Sequence, residues 1–97
     1  MDDEKERELR AFIEQLQKVD GLEARDRRSI IKFYHIIRGV ERLEDAEILT
    51  GADEVEVDGE GALFMFKMDS EFRFALDVTI EAFGRRIVRL RFGRREH

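Results

Sequence analysis

The hydrophobic pattern of this chain changes period once, near residue 54, and that change confines it to one class of fold. Before it, apolar residues recur every three or four positions, the spacing of one face of an α-helix. After it they recur every second position, the spacing of one face of a strand. Helices first and then strands, with only turn residues between the strands, specify an α+β domain with an antiparallel sheet.

In the helical part, Leu9, Phe12, Ile13 and Leu16 share a face. The spacing predicts a first helix that opens on the capping pair Asp3 and Glu6 and stops at Gly21. A second helix over 23–38 turns Ile30, Phe33, Tyr34 and Ile37 inward, and on its other side Arg25, Arg28, Lys32 and His35 line up as a basic ridge. Gly39 ends or bends it. A short acidic helix over 40–49 follows, with Val40, Leu43 and Ala46 inward, Glu41, Glu44, Asp45 and Glu47 outward, and Thr50-Gly51 as its stop.

Residues 54–58 alternate strictly, and Gly59-Glu60-Gly61 reads as a hairpin turn whose glycines supply positive φ. The second strand spans 62–68, Asp69-Ser70-Glu71 turns the chain, and the third spans 72–82 with Phe72, Phe74, Leu76, Val78, Ile80 and Ala82 on one face. A turn at Gly84 leads to a fourth strand with Val88, Leu90 and Phe92 inward and Ile87, Arg89 and Arg91 outward. A three-residue turn sets Met68 opposite Phe72 and Phe66 opposite Phe74. The expectation is one domain over 1–97. A helical hairpin and short third helix (1–51) pack on a four-stranded antiparallel meander (52–93), and a basic tail (94–97) follows.

Several function classes drop out. The chain has no cysteine, which excludes disulfides and thiolate metal sites. Its charged first ten residues do not read as a signal peptide. No apolar run approaches the ~20 residues of a membrane span, so a soluble, cytoplasmic protein is expected. Charged residues make up 42% of the chain, a level that leans toward ion-pair-rich proteins of hot environments.

Net charge is −5, but the charges are segregated: residues 41–60 carry nine acids and one base, and residues 81–97 carry six arginines and two acids. Segregation of this kind suits pairing between copies, or an anionic partner for the basic part.

Catalytic and metal readings fail on residue type and spacing. Glu54, Glu56, Asp58 and Gly59 match the first half of an EF-hand loop, but Met65 stands where the bidentate glutamate is required. The carboxylates of the third helix have no histidine at a matching offset. His35 has no serine in a nucleophile elbow to serve, and the glycines fit neither phosphate-binding fingerprint. No catalytic residue, cofactor or metal ligand is expected.

Two surfaces remain. Leu63, Met65, Ala75, Phe83 and Ile87 alternate onto the sheet face that the helices leave bare, and an exposed apolar patch usually marks an interface. Arg85, Arg86, Arg89, Arg91, Arg94 and Arg95, with the ridge Arg25, Arg28, Lys32 and His35, could bind phosphates. The leading expectation is a small non-enzymatic interaction module that forms a homodimer or docks a protein through the bare sheet face. The alternative is an RNA- or DNA-binding domain using the arginines, and a third reading is a small nuclease-like enzyme.

Overall fold

The computed structural model describes residues 3–67 and 72–94. Among them are helices α1 (Asp3–Gln17), α2 (Ala24–Gly39) and α3 (Leu43–Thr50), then strands β1 (Glu54–Asp58), β2 (Gly61–Lys67), β3 (Phe72–Ile80) and β4 (Arg86–Arg94). The strands form one antiparallel sheet in the order β1-β2-β3-β4. The α+β meander read from the period change is therefore the fold.

Directly opposed residues share a face, so the register sorts the sheet. Val55, Phe64, Leu76 and Leu90 form one row of the inner face, Ala62, Val78 and Val88 lie in the next, and Phe66, Phe74 and Phe92 in a third. Phe12 and Leu16 of α1 and Ile30, Tyr34 and Ile37 of α2 are buried with them. Phe33 stacks on Phe66 at 4.8 Å between ring centroids, and Phe66 on Phe74 at 4.7 Å. Phe12 meets Tyr34 while Glu8 meets Arg38, so α1 and α2 run in opposite directions. No helix among the described residues is long and apolar enough to cross a membrane.

Several boundaries differ from the periodic reading. Asp3 already lies within α1 and lends its charge to the acidic first turn, which favours the positive end of the helix dipole. The third helix begins at Leu43, not at residue 40. The reason is Arg86, whose guanidinium donates to the carbonyls of Ile37 (2.9 Å), Val40 (2.5 Å) and Glu41 (2.9 Å). These carbonyls sit at and beyond the end of α2, where no helical donor reaches them. Val40 and Arg42 are extended as a result.

The first hairpin turn does not use glycine as expected, since neither Gly59 nor Gly61 has positive φ. Asp58 Oδ1 holds the turn instead, accepting from the N–H groups of Glu60 (2.7 Å) and Gly61 (2.9 Å). Gly61 is needed for space: a Cβ there would lie 1.8 Å from the Val78 carbonyl oxygen. The second turn, 69–71, and its neighbour Met68 lie outside the described residues, while the Phe66–Phe74 pairing stands as expected. β3 stops at Ile80, and Ala82 belongs to a 3₁₀ turn (Ala82–Gly84) rather than to the strand.

Candidate functional site

The outer face of the sheet is built by the residues that the register leaves over. One row reads Glu54, Met65, Ala75, Arg91; the next Glu56, Leu63, Asp77, Arg89; the third Asp58, Gly61, Thr79, Ile87. Carboxylates therefore line the β1 edge, small and apolar residues fill much of the middle, and β4 contributes two arginines and an isoleucine. Leu63, Met65 and Ala75 are half-buried by the longer charged side chains on either side. Above Gly61, where a side chain is missing, lies a shallow cavity of about 380 Å³ bordered by Glu56, Asp58, Leu63, Asp77 and Arg91. Arg91 bonds Asp77 at 2.6 Å yet keeps 67% of its side chain exposed, so its fork has donors to spare.

The five apolar residues expected on this face do not all meet. Leu63, Met65 and Ala75 are neighbours. Ile87 is separated from them by Asp77 and Thr79 of β3. Phe83 is not on the sheet at all. It sits fully exposed at the tip of the last hairpin with φ 64°. The Gly84 N–H donates to the Glu81 carbonyl (3.1 Å), which makes Phe83 the third residue of a tight turn, where positive φ normally calls for glycine.

The arginines separate into three groups. Arg85 and Arg86 are spent inside the fold: Arg85 pairs with Glu4 and Glu8 of α1, and Arg86 closes α2. Arg89 and Arg91 project from the outer sheet face. Arg25, Arg28, Lys32 and His35 are all exposed on the solvent side of α2, across the molecule from Arg89 and Arg91, so the two basic features share no surface. Arg94 ends β4, and Arg95 lies outside the described residues.

Among the described residues, one polar assembly was missed in the sequence. Glu8 receives Arg38 on one carboxylate oxygen and Arg85 on the other, and Arg38 also donates to the Tyr34 hydroxyl at 3.1 Å. Only 18% of the Glu8 side chain is exposed. The one available signal was its place beside Leu9 at the margin of the buried stripe.

The acids at the β1 edge are spread along a strand, with Asp58 engaged in its turn. Among the described residues no three acidic or histidine side chains converge as a metal would require. No family model matches the chain, and neither the curated proteins nor the solved structures compared with it give a match.

Proposed function

We propose that this chain is a non-enzymatic association module that buries its outer sheet face against a second copy of itself. One observation carries the reading: an apolar centre of Leu63, Met65 and Ala75 lies between an acidic edge and an arginine-bearing edge, on the face that the helices do not cover. Such a face offers a second copy both apolar area and charges of the opposite sign, which is how self-complementary interfaces are built.

Sedimentation at micromolar concentrations tests it, comparing the wild type with Met65→Lys combined with Ala75→Glu. These two positions are cross-strand partners, so the new charges can pair within one copy while spoiling the apolar centre. A wild-type dimer and a folded monomeric variant are expected. A wild type that stays monomeric at high micromolar concentration overturns the proposal. So does a variant that no longer folds, because the face would then be core.

A further inference from the structure

Resting on that reading, we infer the orientation of the pair: its two-fold axis runs parallel to the strands, so that β1 of each copy lies over β4 of the other. Two sheets that pack face to face can be related by a two-fold axis running across the strands or along them. An axis across the strands stacks β1 on β1, which brings Glu54, Glu56 and Asp58 against their own copies and Arg89 and Arg91 against theirs. Like charges brought together at an interface disfavour that arrangement strongly. An axis along the strands exchanges the two edges and leaves each row in place. Glu54 then lies over the partner copy's Arg91 position, Glu56 over its Arg89 position, and Met65 over its Ala75 position.

Asp77 falls near the centre of this arrangement, but its carboxylate already holds Arg91. Arg91 is thus pinned on the open face with donors left for a carboxylate of the second copy. The geometry suits aligned sheet packing, in which facing strands stay within about 30° of one another. The face measures about 19 Å across the strands and about 17 Å along them. In plan that is roughly 650 Å² over the two copies, which places the pair among weak associations rather than standard-size interfaces. Association of that size depends on the charge match, and weakens with salt.

The absence of cysteine makes the orientation readable, since introduced thiols are unique. Glu56→Cys and Arg89→Cys chains, mixed and treated with a bis-maleimide that spans the ~10 Å between facing sheets, are expected to cross-link only to each other. Each variant alone should stay uncrosslinked, because like positions then lie on opposite edges, displaced sideways by about 14 Å. Sedimentation is run in parallel without the linker. A dimer that cross-links like with like, or not at all, overturns the orientation alone. A monomer by sedimentation overturns the parent reading. As a second measurement, Arg89→Glu with Arg91→Glu should weaken dimerisation about tenfold or more at low salt, and mixing with Glu54→Arg, Glu56→Arg chains should restore it. An unchanged dimer in the first variant removes the charge match that selects the axis.

Discussion

Glu8 shows how one carboxylate can fasten three elements. It sits on α1, and the arginines that reach it come from α2 and from the residue just before the last strand. Removing it leaves two mostly shielded guanidinium groups short of a partner, and an unpaired charge is costlier than the net worth of the pair. Glu8→Ala should therefore lower unfolding stability by about 3 kcal/mol, measured by urea denaturation, whereas Arg89→Ala on the open face should change it by less than about 0.5 kcal/mol. Gly61→Ala tests a different constraint. Its Cβ would meet a backbone carbonyl that cannot swing aside, so a loss above about 3 kcal/mol is expected, as for severe overpacking. A Gly61→Ala protein with unchanged melting would show that β2 and β3 can separate at little cost.

At the scale of the elements, the last hairpin is held to two helices by adjacent residues at the start of its second arm. Arg85 is tied to α1 and Arg86 to the end of α2, while Phe83, two residues before them at the tip, adopts a left-handed backbone conformation that costs a non-glycine residue about 1–2 kcal/mol. Phe83 makes no compensating burial, so Phe83→Gly should raise the melting temperature slightly, the relief of strain being partly offset by the greater freedom of glycine in the unfolded chain. A fall of several degrees would mean that the ring is packed in solution. The periodic reading reached the two long helices, the strand order and the Phe66–Phe74 pairing because these follow from local alternation of side chains. It missed the end of β3 because apolar alternation runs on through Ala82 into a local 3₁₀ turn, and the start of α3 because that depends on contacts distant in sequence. Residue 86 ends the helix that closes at residue 39, and no spacing rule connects those positions. The arginine cluster was legible as charge but not as structure, for the same reason.

On the scale of the whole molecule, the backbone measures 40 × 27 × 19 Å. The short dimension accommodates one helical layer on one sheet. β1 extends beyond the helices' cover, and Val57, although on the inner face, is 72% exposed. A sheet with an acidic edge strand at one side and arginines at the other could in principle also grow sideways, β1 of one copy adding to β4 of the next without end. One side chain opposes this. Gln15 of α1 reaches the outer margin of β4, and its amide oxygen accepts the Leu90 N–H at 3.4 Å. Gln15→Ala should leave the stability within about 1.5 kcal/mol of wild type, yet give thioflavin-positive fibres on prolonged warming, where the wild type stays clear. Equal clarity in both would show that α1 does not guard that margin. With the Leu90 donor occupied, lateral addition loses one of the edge N–H groups of β4 while the flat face stays available, and a face related by a two-fold axis is consumed once used. In the pair proposed above, Gln15 thus favours closure at two copies over growth along the sheet edge.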